Sequence, residues 1–235
     1  MTRYVVLAAG EGSRMRERTS LPKPLVEVGD RALLEHVLDR IAETDVSAVT
    51  VVVGYQHERV EAFLDGASYD FPVETVVNPD YERENGFSLL RAAATVDGPF
   101  VLAMADHIVD PEIYRRAGRH DGFGLCTDDS PPPGEDEDEA TTVRVEDGRI
   151  VAIGKDLREW DAVDTGVFML APEIFEALEE RTSSHEVTVT DGVRELIARG
   201  RDVETIDVAG CRWVDVDTPD DLRIAERVLA NESGG

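Results

Sequence analysis

Residues 4–25 read YVVLAAGEGSRMRERTSLPKPL. The opening run, Tyr4-Val5-Val6-Leu7, is continuously apolar, as a strand buried on both faces must be. It leads into a turn with Gly10 and Gly12, followed by Arg14, Arg16, Arg18 and Lys23. Free backbone N–H groups beside guanidinium and ammonium groups suit a multiply charged anion. A dinucleotide is a poor fit, because Met15 stands at the third position of G-x-G-x-x-G/A. No acidic residue closes the second strand either; Gly54-Tyr55 stands there. No G-x-x-x-x-G-K-[ST] motif occurs. A loop this long and basic suits a triphosphate better than a pyrophosphate bridge alone.

Outward from this loop, apolar periodicity alternates. Residues 3–8, 48–55, 72–77 and 99–106 read as strands, the last ending on Asp106. Between them, 32–43 carries a helical stripe (Leu33, Leu34, Val37, Leu38, Ile41). A second helix turns Val60, Phe63 and Leu64 inward, and a third starts near Gly86 with Leu89, Leu90 and Ala93. This alternation predicts an α/β fold with a mostly parallel sheet, helices on both faces and ligands beyond the carboxyl ends of the strands. The second half predicts an antiparallel elaboration from GFGLCT, TTVRVEDGRIVAIG and AVDTGVFML, with a hairpin turn at Glu146-Asp147-Gly148. Residues 127–139, TDDSPPPGEDEDE, read as an exposed, mobile acidic loop. Helices are expected at 172–180, at 190–199, and after Thr218-Pro219, where Thr218 is the N-cap and Asp220 and Asp221 favour the helix dipole.

Composition bounds the partners. The 235 residues carry a formal charge of −26, which excludes nucleic acid and an anionic membrane as partners. No run reaches the roughly 20 apolar residues of a membrane span, and Met1-Thr2-Arg3 enters a strand without a signal peptide. Cys126 and Cys211 lack metal spacing and read as reduced thiols of a cytoplasmic protein. Of the 24 basic residues, 22 are Arg, and Lys23 and Lys155 are the two lysines. Many carboxylates with few lysines suggest halophilic adaptation. Each lysine is therefore a candidate for a site that needs a compact ammonium.

The segments LAAGEGSRM…PKPL, VVVGY, NPDYERENGFSLL, MADH, IGKDL, DTGVFML and WVDVDTPDDLRIA follow one another along nearly the whole chain. In this order they resemble the sugar-phosphate nucleotidyltransferases, whose fold is related to the GT-A glycosyltransferases. Among these they are most similar to CTP:inositol-1-phosphate cytidylyltransferases, with phosphocholine cytidylyltransferases next. The resemblance implies a Rossmann-like central sheet in one domain over 1–235. Residues 1–110 would form a nucleotide-binding half and 111–235 an acceptor-binding half. It implies attack of a substrate phosphate on the α-phosphorus of a nucleoside triphosphate, with CTP and inositol 1-phosphate favoured, and release of pyrophosphate. A hexose 1-phosphate with UTP, GTP or dTTP, or phosphocholine with CTP, would use the same chemistry. A non-catalytic nucleotide-sensing subunit, or a scaffold acting through the acidic loop, is the reading from other classes. A homo-oligomer is compatible with all of these. Some relatives carry a membrane-embedded phosphotransferase domain, so this chain, ending at Gly235, is expected to leave that step to a separate protein.

The resemblance also assigns residues. Leu7, Ala8, Ala9, Gly10, Glu11 and Gly12 line the nucleotide, and Arg14 meets the β- and γ-phosphates. Lys23 meets the α-phosphate or the incoming phosphate. Asp106 is a Mg²⁺ ligand, and the second carboxylate comes from Asp215 or Asp217. These two alternate with Val214 and Val216 and so share a face. Asp217 is favoured because it precedes the helix N-cap, with Asp215 orienting water or a neighbouring base. Asn85, Gly86 and Ser88 are expected near the base and ribose. Lys155 is assigned to the acceptor phosphate, and Asp164, Thr165 and Gly166 to acceptor hydroxyls, with Glu84 and Asp161 as weaker candidates. His107 reads as a positioning residue, since Mg²⁺ prefers oxygen. The other histidines, Trp160 and Trp213 read as structural. Tyr81 and Phe87 suit either a choline cage or the core.

Overall fold

The computed structural model describes residues 1–15, 19–131, 140–182 and 186–232. The first half runs β1 (Thr2–Ala8), the short hairpin β2 (Glu27–Val28) and β3 (Arg31–Ala32), α1 (Leu33–Ala42), β4 (Val46–Val53), α2 (His57–Gly66), β5 (Val73–Val77), α3 (Asn85–Arg91), β6 (Phe100–Met104) and β7 (His107–Val109). The second half runs α4 (Pro111–Arg119), β8 (Phe123–Asp128), β9 (Thr142–Glu146), β10 (Arg149–Gly154), β11 (Ala162–Leu170), α5 (Glu173–Thr182), α6 (Val189–Ala198), β12 (Val203–Asp207), β13 (Trp213–Asp215) and α7 (Pro219–Glu232).

One nine-stranded sheet, ordered β5-β4-β1-β6-β11-β8-β12-β10-β9, carries both halves. Strands β5, β4, β1 and β6 are parallel, with Val5 opposite Thr50 on one side and Leu102 on the other. Their runs of Val suit a sheet covered on both faces, since β-branched side chains pack well against a pleated surface. Strand β11 pairs antiparallel with both β6 and β8 and so welds the halves together. The elaboration is therefore part of the main sheet and is itself mixed, because β12 runs parallel to β8. That strand, VETID, buries Val203 and Ile206 three positions apart, so its five residues show no alternation for the periodicity to mark.

Two apolar clusters cover the two faces of the sheet; Leu34, Val37, Leu38 and Ile41 of α1 enter one, and Ile174, Leu178, Val193 and Leu196 of α5 and α6 enter the other. A third, smaller cluster joins Met15, Val26, Val28, Leu33, Ile108, Val214, Val216 and Ala225. The β9–β10 hairpin turns at Asp147 and Gly148, both at positive φ, as its sequence demands. The acidic loop expected from residue 127 begins later. Thr127 and Asp128 are buried in β8, where Asp128 accepts a bond of 2.8 Å from Trp213 Nε1. Residues 132–139, like Arg16, Arg18 and His185, lie outside the described residues. Among the described residues, no helix is long and apolar enough to cross a membrane.

Candidate active site

Because β1 and β6 are parallel neighbours, Ala8 and Met104 end on the same edge of the sheet, and the Ala105 N–H to Leu7 carbonyl bond (3.0 Å) extends the pairing. The turn after β1 therefore opens beside Asp106. Leu7, Ala8 and Ala9 are buried, and the exposed part of the turn begins at Gly10. Gly12 holds φ +64°, and a Cβ there would lie 2.6 Å from Cβ of Lys23. Only glycine permits this close crossing of the loop over its own lysine. On the far side, Tyr55 N–H bonds the Ala9 carbonyl at 3.0 Å. Arg59 and Gln56, the latter at φ +49°, both donate to the Ser20 carbonyl, at 3.1 and 3.4 Å. These clamps on the loop carry no motif, and sequence reading misses them.

The C-terminal segment reaches the site through a two-stranded antiparallel ribbon. Strand β13 pairs with β7, setting Asp215 opposite His107, and Val216 N–H bonds the Asp106 carbonyl at 3.0 Å. Val214 and Val216 enter the third apolar cluster, which leaves Asp215 and Asp217 on the other face, as their alternation predicts. Asp221, expected only to favour the helix dipole, does more. Its Oδ2 accepts from the N–H groups of Thr218 (2.6 Å) and Asp217 (3.1 Å), while Thr218 Oγ1 accepts from Asp221 N–H at 3.4 Å.

The charged groups converge. Lys23 Nζ donates to Asp106 Oδ2 at 2.7 Å and to Asp217 Oδ1, and Arg14 reaches Asp217 Oδ2 at 3.4 Å. His107 Nδ1 lies 2.9 Å from Asp106 Oδ1, and its Nε2 3.8 Å from Asp215 Oδ2. Burial opposes the charge on Lys23, but Asp106, Asp217 and Asp215 outweigh it and raise its pKa. Burial likewise disfavours ionised Asp106, yet Lys23 and His107 hold it well below the usual carboxylate range. Burial opposes the imidazolium of His107, and Asp215, Asp106 and Asp164 push it up to about 10. Asp215 rises to about 6 because burial and the neighbouring carboxylates prevail over His107 and Lys23.

Asp106, His107 and Asp215 each offer a ligand atom, all within 4.8 Å of one another, a grouping able to hold a metal ion. Asp215 Oδ1 is buried without a hydrogen-bond partner. An orphaned carboxylate oxygen beside two further acids fits a cation, since a buried anionic oxygen left unmatched is costly.

The remaining expected residues divide. Asp164 closes on the site: its Oδ1 accepts from Gly166 N–H at 2.7 Å, and burial raises it to about 6. Gly166, at φ +76°, packs against His107, whose Cδ2 would lie 2.7 Å from an added Cβ. Thr165, by contrast, is fully buried and donates to the Cys126 carbonyl at 3.0 Å, so its hydroxyl is not offered to an acceptor. Asn85 Oδ1 accepts from Val189 N–H at 2.9 Å, and Gly86 packs on Val187, whose carbonyl would be 2.4 Å from a Cβ. Ser88 Oγ, buried, accepts from Asn78 at 3.0 Å. In this arrangement Asn85 and Gly86 fasten α3 to the start of α6, and Ser88 packs inward. Asp161 is occupied by Val145 N–H at 2.7 Å. The Arg83 guanidinium lies 3.4 Å over the Phe87 ring, which leaves that face closed to a choline cage. Lys155 is exposed just beyond β10. Arg194 donates to the Ile153 carbonyl at 2.8 Å, packs against Gly154 and pairs with Asp191 at 3.0 Å, contacts with the end of β10 that no sequence motif marks.

A glycine-containing turn and a Lys–Asp cluster at the carboxyl edge of this mixed, helix-flanked sheet define a nucleotide-diphospho-sugar transferase fold. Residues 4–120 match the family of MobA-like NTP transferase domains. The chain belongs to the nucleotidyltransferases. It is similar to a bifunctional IPC transferase and DIPP synthase from Rubrobacter xylanophilus, 40% identical over 225 residues that cover 95% of this chain and 51% of the relative. A UTP–glucose-1-phosphate uridylyltransferase from Haloferax volcanii is 28% identical over 243 residues, covering 97% of each. The solved structure of the inositol-1-phosphate CTP transferase from T. maritima matches with a TM-score of 0.88 at 23% identity, covering 100% of this chain and 97% of that one. The chain spans about half the length of the bifunctional relatives it matches.

Proposed function

We propose that this protein joins CTP to inositol 1-phosphate, releasing pyrophosphate, and that it does so in the cytoplasm. The observation that carries the reading is the convergence of Lys23, Asp106, Asp217 and Arg14 at the mouth of the glycine turn. The acceptor phosphate needs no general base: with a second pKa of about 6, a phosphate monoester is already dianionic at neutral pH. The protein's task is to hold two anions in line and to offset the charge that grows on the leaving pyrophosphate. Arg14 and the N–H groups of Ala9, Gly10, Glu11 and Gly12 take the β- and γ-phosphates. Lys23 takes the α-phosphate. Lys155 takes the acceptor phosphate, and Asp164 accepts from an acceptor hydroxyl. Asp106 and Asp217 would hold Mg²⁺, with Asp215, whose Oδ1 lacks a hydrogen-bond partner, as the third acid beside them. Bound there, Mg²⁺ supplies charge neutralisation of the triphosphate. His107 keeps Asp106 and Asp215 in register.

The name of the Rubrobacter relative and that of the T. maritima structure favour CTP and inositol 1-phosphate. The Haloferax relative, matched along its whole length, favours a second reading in which UTP meets a hexose 1-phosphate. A pyrophosphate-release screen separates them, with five nucleotides each tested against inositol 1-phosphate, phosphocholine and several sugar phosphates. Release with CTP and inositol 1-phosphate is expected; release confined to UTP and a hexose phosphate would replace the first reading by the second. The charge of −26 with two lysines supports adaptation to high salt as part of the same proposal.

A further inference from the structure

The ammonium of Lys23 stands between two carboxylates, bonded to Asp106 Oδ2 at 2.7 Å and to Asp217 Oδ1. These are the oxygens that the proposed function assigns to a divalent ion. Such an ion binds carboxylate oxygens at about 2.0–2.1 Å. Nζ already lies within hydrogen-bond reach of both oxygens, so an ion on the same pair would be pressed against the ammonium. Two cations so close repel strongly, and more so where protein shields them from water. The lysine backbone has no room to retreat. Gly12 crosses over its Cβ, and the Lys23 carbonyl accepts from Val26 N–H at 3.0 Å. The stem is packed under Gly12 as far as Cδ, so only the end of the four-carbon side chain is left to swing the ammonium from the carboxylates toward the phosphate. Arg14, about half exposed, marks the open side, where the phosphates arrive.

We infer that Lys23 and the divalent ion are alternative occupants of the Asp106–Asp217 pair, and that arrival of the ion with its nucleotide transfers the ammonium from the carboxylates to the phosphate. The inference rests on the proposed assignment of Asp106 and Asp217 to the metal. It gives the lysine two tasks. Against the carboxylates it offsets the repulsion of two facing anions and keeps them aimed at one point. Against the phosphate it supplies the charge that the reaction requires. By linkage, whatever factor the lysine subtracts from metal affinity, the metal subtracts from the lysine's hold on the carboxylates.

The chain has two lysines, so ¹⁵N-lysine labelling yields two side-chain ammonium signals, with Lys155 as internal control. Magnesium chloride, added to the full chain at constant ionic strength, is expected to shift the Lys23 signal and to speed the exchange of its protons with water, leaving Lys155 in place. Lys23→Met is expected to bind Mn²⁺, counted by electron paramagnetic resonance, about tenfold more tightly or better. Asp106→Asn is expected to remove that Mn²⁺ site. If Asp106→Asn loses the site but the Lys23 signal does not move with Mg²⁺, the exchange is overturned and the metal assignment stands. If Asp106→Asn binds Mn²⁺ like the unaltered chain, the metal assignment falls and the exchange with it. The labelling arm uses the unaltered chain and decides the matter even where Lys23→Met does not fold.

Discussion

Lys23 is the residue on which the site is hung, and its surroundings say what it tolerates. The crossing of Gly12 over its Cβ, Cγ and Cδ holds the stem of the side chain and leaves only the ammonium end to move. Gly12→Ala would force the loop and the lysine apart and demand a strained positive φ. Since a misplacement near 1 Å can cost about 10²-fold in rate, turnover in a pyrophosphate-release assay is expected to fall about that far. Lys23→Ala removes the cation from two facing carboxylates. Turnover is expected to drop by about 10²–10³-fold, as for loss of a group that meets developing charge. Melting should register a loss of no more than about 3 kcal/mol, because Asp106 keeps its bond to His107. Lys155→Ala tests the other end of the reaction. The side chain is exposed, so melting should be unchanged while turnover at fixed acceptor falls by about 10²-fold. Near-normal turnover would remove Lys155 from the site.

At the scale of elements, the β7–β13 ribbon ties the last fifth of the chain to its middle, and Asp217, just beyond the ribbon, reaches Lys23 in the first fifth. The three carboxylates on or beside these elements were legible for different reasons. Asp106 ends an apolar run, and Asp215 and Asp217 alternate with valines, so the patterns marked them without any contact being known. The partnership of His107 with Asp215 was not legible, because strands of three residues leave no periodicity to read. Nor was the engagement of Asn85 and Gly86 with the start of α6. A helix start with glycine looks the same whether a ligand or another backbone approaches it. The hidden role of Asp221 offers a test. Asp221→Ala removes the acceptor for Thr218 and Asp217 N–H, and loss of a helix cap of this kind costs about 1 kcal/mol. Turnover is expected to fall with it, since Asp217 loses its backbone anchor. Asp221→Asn keeps an acceptor oxygen and should restore most of both. An unchanged turnover in Asp221→Ala would show that the cap serves α7 alone.

For the whole molecule, the parallel half was legible because buried strands of Val-rich sequence recur between amphipathic helices. The mixed half was less so, because β11 pairs out of order and β12 is short. The sheet makes one body of the two halves, and it carries a charge of −26. Like-charge repulsion on such a surface is screened by salt, with a Debye length of about 10 Å at 0.1 M and about 3 Å at 1 M. The melting temperature is therefore expected to climb from low to molar potassium chloride; a flat response would remove the halophilic reading. The central claim is that Lys23, Asp106 and Asp217 bring two phosphorylated molecules together in a nucleotidyl transfer. ³¹P nuclear magnetic resonance of the chain with CTP, inositol 1-phosphate and Mg²⁺ tests it most directly. Free pyrophosphate and the paired signals of a new diphosphate bridge should grow together, and both should be absent with Asp106→Asn. An unchanged spectrum with the unaltered chain, or product formed equally well by Asp106→Asn, would contradict the account.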